Sequence, residues 1–164
     1  MDVYLVRHAI ADTRDAARWP DDAKRPLTPE GVKRFHSAAR GLRRIVPDVA
    51  AVLSSPYVRA WQTAKILNEE TGWPVPEACP PLEADRPPSA ALELLAERSS
   101  VALVGHEPYL SALASLLVSG NEHALHLELK KGAVALLAFD AAPAPGAALL
   151  RWSVSPKILR ALDS

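Results

Sequence analysis

Two histidines and two arginines stand close behind short apolar runs: Arg7 and His8 in "VYLVRHAI", Arg59 in "LSSPYVRA" and His106 in "LVGHEP". Arg25 lies in the intervening "KRPLTPEG". A cation left unpaired in an apolar interior is so unfavourable that it normally meets an anion or reaches solvent. Singly, each residue has an ordinary reading: a hydrogen-bonded histidine, an Arg7 paired with a carboxylate at the core edge, a solvated Arg59 on a helix, a loop charge at Arg25. Together they make an anion pocket, with no compensating cluster of acids among them. Guanidinium forks match phosphate oxygens in a way that lysine cannot copy. The same positive surroundings repel an added proton, so His8 is expected to stay neutral and nucleophilic. A neutral imidazole can attack phosphorus, hold the group as phosphohistidine and pass it to water. Arg7, Arg59 and His106 would then hold the equatorial oxygens as charge redistributes.

These residues need a scaffold that ends several strands at one place. Apolar runs at 3–6, 50–55, 101–105, 133–140 and 148–154 read as strands. The first three are almost wholly apolar, as strands covered on both faces tend to be. Between them, "LTPEG" opens a helix with Thr28 as cap, Pro29 at the first position and Glu30 at the positive end of the dipole. It runs to about Val46 on a stripe of Val32, Phe35, Ala39, Leu42 and Ile45 or Val46. A second helix is expected from Ser55 as cap, with Pro56 just inside, to Gly72; "SAALELLAE" and "PYLSALASLLVSG" read as a third and a fourth. The alternation indicates an α/β sandwich with parallel main strands, and the last two strands, joined across "AAPAPG", a hairpin at an antiparallel edge. In such sheets ligands gather beyond the carboxyl ends of the strands. His8, Arg59 and His106 all follow such ends.

The chain of 164 residues reads as one domain, 1–164. With 19 basic and 19 acidic residues, broad binding to nucleic acid or an anionic membrane has no electrostatic support, so an anion site must be local. The single cysteine, Cys79, excludes an intrachain disulfide and a cysteine-based zinc cluster, and suits a reducing cytoplasm. No secretory signal or membrane span is expected. Walker-type, HExxH and EF-hand patterns are missing, and His123 and His126, in what reads as a strand or edge, lack a third ligand, so no metal or other cofactor is expected. Of the four tryptophans, Trp61 and Trp152 read as core or half-buried and Trp73 as a loop residue, while Trp19 either anchors its loop or walls the site.

The motifs "YLVRHA", "RPLTPEG", "LSSPYVRAWQTA" and "LVGHEPYLSAL", in that order over most of the chain, resemble the histidine phosphatase superfamily, the phosphoglycerate-mutase-like group, and within it the short SixA-type phosphohistidine phosphatases. The resemblance implies a three-layer α/β/α sandwich with a mostly parallel central sheet and a metal-free reaction. It puts the nucleophile at His8, the phosphate-pocket arginines at Arg7 and Arg59, the second pocket histidine at His106 and a further arginine near the phosphate at Arg25. Ala9 stands where the family commonly has glycine. Larger members supply a general acid from a later loop, where Glu83 and Asp85 are the candidates here; pairing with Arg86 or capping the next helix is the structural alternative for them.

The resemblance implies a phosphatase acting on phosphohistidine of a protein partner such as a phosphotransfer domain. Expelling imidazole from a weak P–N bond needs less proton donation than expelling an alkoxide, and a short chain lacks insertions that would enclose a small substrate. Two alternatives stand beside it: a small-molecule phosphomonoesterase using Glu83 or Asp85 as acid, and a non-catalytic module that binds phosphorylated partners. The loops at 11–26 and 79–89 are the candidate specificity rim. Oligomeric state stays open.

Overall fold

The computed structural model describes residues 1–96 and 98–164. Its centre is strand β1 (Asp2–Arg7), followed by helix α1 (Pro29–Ile45), β2 (Val52–Ser54), α2 (Val58–Thr71), β3 (Glu77–Ala78), β4 (Ser100–Gly105), α3 (Tyr109–Ser119), β5 (Val134–Ala138), β6 (Leu149–Val154) and α4 (Pro156–Ala161). The six strands form one sheet in the order β3-β2-β4-β1-β5-β6. β1, β2, β3 and β4 run parallel, and β5 and β6 add the expected antiparallel edge. The α/β sandwich is therefore mostly parallel at its centre.

Side chains alternate across β1, and this makes the layers. Tyr4 and Val6 face a core with Phe35 and Leu42 of α1, Ala60, Ala64 and Leu67 of α2, and Leu159 of α4. Val3 and Leu5 face the opposite core, with Leu110, Leu113 and Leu117 of α3 and Leu82 and Leu95 of two 3₁₀ segments. Thr28 caps α1 as its sequence predicts, its hydroxyl accepting the Gly31 N–H at 2.9 Å. Val46, rather than the half-exposed Ile45, completes the apolar stripe.

Three expectations are corrected, and a fourth, Trp73 in a loop, holds with full burial. Ser55 does not cap α2: Tyr57 is the N-cap, with no side-chain bond, and Pro56 lies outside the helix. The Ser55 hydroxyl accepts the Tyr57 N–H at 3.2 Å, a local turn that delays the helix. The third helix is a 3₁₀ segment over Pro88–Leu95, and Glu97, the last residue of that expectation, lies outside the described residues. The stretch around His123 and His126 is turn and irregular chain instead of strand. Trp73 follows α2 in a loop but is fully buried, stacked near Tyr4 with its Nε1 donating to the Val46 carbonyl at 3.2 Å. The short β3 and helix α4 were not foreseen, although Ser155-Pro156 repeats the Thr28-Pro29 cap, the Ser155 hydroxyl accepting from Ile158 N–H.

Gly31 fixes how α1 meets the chain after His8. A Cβ there would stand 2.1 Å from the Ile10 carbonyl oxygen, which also accepts the Thr28 N–H. Gly31→Ala is thus expected to destabilise the fold by about 1–3 kcal/mol, as overpacking typically does, read as a lowered urea midpoint; an unchanged midpoint would show that the loop yields freely.

Candidate active site

β1, β2 and β4 end side by side, and their ends line a cavity of about 360 Å³ that brings together Arg7, His8, Arg25, Arg59 and His106. All five residues singled out from the sequence for phosphate chemistry therefore share one space. His8 is 5% exposed. Its backbone N–H is held by the Gly105 carbonyl at the end of β4. Its Nδ1 lies 2.7 Å from the Ala9 carbonyl oxygen, which can only accept. Nδ1 therefore carries the proton, and the lone pair of Nε2 is free.

His106 follows β4, with its ring 5.4 Å from that of His8 and 5.0 Å from Tyr57. Its Nε2 is 2.8 Å from the Ser55 hydroxyl. That hydroxyl also accepts the Tyr57 N–H at 3.2 Å, so Ser55 ties the His106 ring to the turn before α2. Among the described residues, the buried side-chain polar atoms with no partner are Arg7 Nε, Arg59 Nε and His106 Nδ1. Unpartnered buried polar atoms are uncommon, and these three sit on residues that line the same cavity.

Burial, reinforced by the Arg59, Arg7 and Lys131 charges, lowers the His8 pKa from 6.5 to about 3, against the opposing pull of the Ala9 carbonyl. Burial and the Arg59 charge do the same for His106, also to about 3. Both imidazoles are neutral at physiological pH, as expected from the sequence for His8.

Asp22 is the residue the sequence reading missed. It lies on a 3₁₀ turn, Asp22–Lys24, capped by Asp21. Its carboxylate accepts from Arg59 Nη2 at 3.0 Å and from Arg25 Nε at 2.9 Å, and its carbonyl accepts from Arg59 Nη1 at 2.9 Å. The arginines are therefore partly compensated. Partial burial works to raise the Asp22 pKa, but the Arg25 hydrogen bond and the Arg59, Arg25 and Arg14 charges outweigh it and hold it below its ordinary value. Residues i and i+3 stack on a 3₁₀ turn, so the Asp22/Arg25 spacing in "DDAKR" was a signal. Lys131 and Glu107 also line the cavity unannounced. Burial pushes the Glu107 carboxyl up, and Ser111 N–H and hydroxyl donate to it.

Asp22 orients Arg59 by accepting one N–H from each of its terminal nitrogens. Asp22→Ala removes two charge-assisted hydrogen bonds, each of a kind worth about 1.5–3 kcal/mol. The expected result is a fall in kcat/KM of at least about tenfold together with a lowered Tm; equal kcat/KM would show that Arg59 holds its place unaided.

Glu83 and Asp85 do not line the cavity. Glu83 lies 3.7 Å from Arg86, the structural pairing considered from the sequence, and Asp85 is exposed. Trp19 anchors its loop, Nε1 donating to Asp12 at 3.2 Å, while Asp12, Thr13 and Arg14 of that loop and Ala84 of the other reach the cavity. Among the described residues no group of three or more His, Cys, Asp or Glu side chains is placed to hold a metal ion, and no helix is long and apolar enough to cross a membrane.

The model of the histidine phosphatase superfamily (branch 1) matches residues 3–82, from β1 to the 3₁₀ segment after β3. An uncharacterized protein of Picosynechococcus sp. is 34% identical over 139 residues, covering 82% of each chain. The phosphohistidine phosphatase SixA of Escherichia coli is 28% identical over 163 residues, covering 95% of this chain and 94% of its own. A solved structure of the protein histidine phosphatase SixA complexed with tungstate superposes with a TM-score of 0.81 at 26% identity, covering 97% of this chain and 99% of that one. The fold is that of an α/β phosphatase. The chain belongs to the histidine phosphatase superfamily and is SixA-like.

Proposed function

We propose that the protein hydrolyses phosphohistidine on a partner protein, such as a phosphotransfer domain, through a covalent phosphohistidine on His8. The observation that carries this reading is the free Nε2 lone pair of a neutral, buried His8 in a cavity lined also by Arg7, Arg25, Arg59 and His106. In the first step Nε2 bonds to phosphorus and the P–N bond to the partner's imidazole breaks, its electron pair staying on that ring. The Ala9 carbonyl, bonded to Nδ1–H, stabilises the positive charge that develops on His8. Arg7, Arg59 and His106 hold the phosphoryl oxygens, with Arg25 behind them. In the second step water attacks phosphorus, inorganic phosphate leaves, and His8 regains its lone pair. Glu83 and Asp85 stand outside the cavity lining, whose carboxylates are Asp12 and Glu107. Likeness to SixA supports the same reading.

The test mixes the protein, in chelator, with a radiolabelled histidine-phosphorylated phosphotransfer protein and, separately, with phosphomonoesters. Release from the phosphoprotein with kcat/KM at least about 10² above any ester, the scale of one general acid, is the expected result. Faster turnover of an ester, abolished by Glu83→Gln or Asp85→Asn, would instead establish the small-molecule enzyme. Binding without release or labelling would establish the non-catalytic module.

A further inference from the structure

Beside the catalytic cavity lies a larger one, of about 490 Å³, and the two share Arg7 and Lys131 as a common wall. Its floor is apolar, built from Ile10 after β1, Phe35 of α1 and Pro156 at the start of α4. Its rim is cationic: Arg34 from α1, Lys130 and Lys131 before β5, and Lys157 and Arg160 from α4. Arg34 is engaged by Glu30 at 2.8 Å. The other four have no carboxylate within ion-pair distance among the described residues, and Glu128 is the acidic residue among those lining the cavity.

A chain with 19 basic and 19 acidic residues has no overall excess of positive charge, so this concentration is local. Lys130, Lys131 and Lys157 are exposed, and long lysine stems can lie over apolar surface while their heads stay in water. Unneutralised cations around an apolar floor match a segment that presents carboxylates flanking an apolar side chain. Such a patch steers association and fixes register. The shared wall adds a geometric constraint. A polypeptide that delivers a phosphoryl group to His8 can continue across Arg7 and Lys131 into this second cavity, whereas a small phosphate ester filling the first cavity would not reach it.

We infer that this cavity is a docking subsite for an acidic segment of the partner protein, adjoining its phosphohistidine. The inference rests on the function proposed above and adds what selects the partner: carboxylates about an apolar residue, beside the modified histidine.

Lys130→Glu/Lys157→Glu reverses two rim charges outside the catalytic cavity. Two probes separate the subsite from the chemistry. The first is a fluorescein-labelled peptide of alternating glutamate and leucine, compared with its lysine–leucine counterpart by anisotropy. The second is turnover of phosphohistidine set in each of these peptides, with phosphoramidate as a small substrate. The subsite predicts that wild type binds the acidic peptide at least about tenfold tighter than the basic one, less so as salt rises, and that the double variant loses this preference. It predicts a kcat/KM advantage for the acidic substrate of the same size, carried by KM and lost in the variant, with phosphoramidate turnover unchanged. Equal binding of both peptides, or a preference that survives charge reversal, overturns the subsite even if phosphohistidine is hydrolysed. Failure to hydrolyse any phosphohistidine substrate overturns the proposed reaction, and the binding comparison still decides whether the cavity takes acidic segments.

Discussion

His8→Asn is expected to reduce phosphate release from a histidine-phosphorylated protein by about 10⁴-fold or more and to abolish the labelled intermediate. Asparagine keeps a polar group of similar reach but offers no nucleophilic lone pair, and losing the nucleophile removes the covalent route entirely. Because His8 is buried and neutral, the substitution introduces no charge and removes none. The variant should therefore fold and still bind tungstate or phosphate through the Arg7, Arg59 and His106 donors. The measurement is rapid mixing with radiolabelled substrate, quenched without acid. Wild type should carry label that is acid-labile and alkali-stable, and the variant none. Label on the variant would move the nucleophile to another residue, with His106 the first to examine.

Lowering the pH from 7 to 5 should cost the unliganded protein about 2 kcal/mol of stability for each of His8 and His106. Both have folded pKa values near 3 against an ordinary 6.5. A group whose pKa is lowered by folding stabilises the fold fully above 6.5, and that stability is lost as the pH falls toward 3, since the unfolded chain binds protons that the native one refuses. Asp22 is also lowered, but from 3.8, and so acts below this window. Glu107, raised by burial, works in the opposite sense and trims the slope. Urea midpoints across the range should thus fall steeply for wild type and much less for His8→Asn/His106→Asn. An identical slope in the double variant would place the proton uptake elsewhere. Tungstate, offered as an oxyanion probe of the proposed phosphate pocket, should raise the wild-type midpoint throughout.

The catalytic constellation was legible because its residue types conflict with their neighbours. Arg7 and His8 end a strand of buried apolar residues, and His106 ends another, so burial and polarity point at the same positions. The cap at Thr28-Pro29 was legible for a local reason, a side chain and a backbone N–H three residues apart. Asp22 was legible only as a local partner of Arg25, because its other partner, Arg59, is distant in sequence and only the folded loop delivers it. Ser55 was misassigned because its hydroxyl accepts the N–H two residues on, in a local turn that defers the helix to Val58, while it also contacts His106. Over 88–95 the apolar spacing suited an α-helix, but a 3₁₀ segment buries Ala91 and Leu95 just as completely. Lys131 and the cavity it shares carry no signal in the chain at all: they arise from α1, α4 and the approach to β5 meeting in space.

The Thr63 hydroxyl accepts the Ala9 N–H at 3.0 Å and donates to the Arg59 carbonyl at 2.8 Å. One buried oxygen thus ties the residue after the nucleophile to the helix that carries the arginine, across more than fifty positions of chain. The two halves of the site are thereby linked within the folded chain before any ligand arrives. The attraction of an arriving phosphoryl group is then not consumed in assembling its own receptor, and remains available for the in-line geometry of transfer.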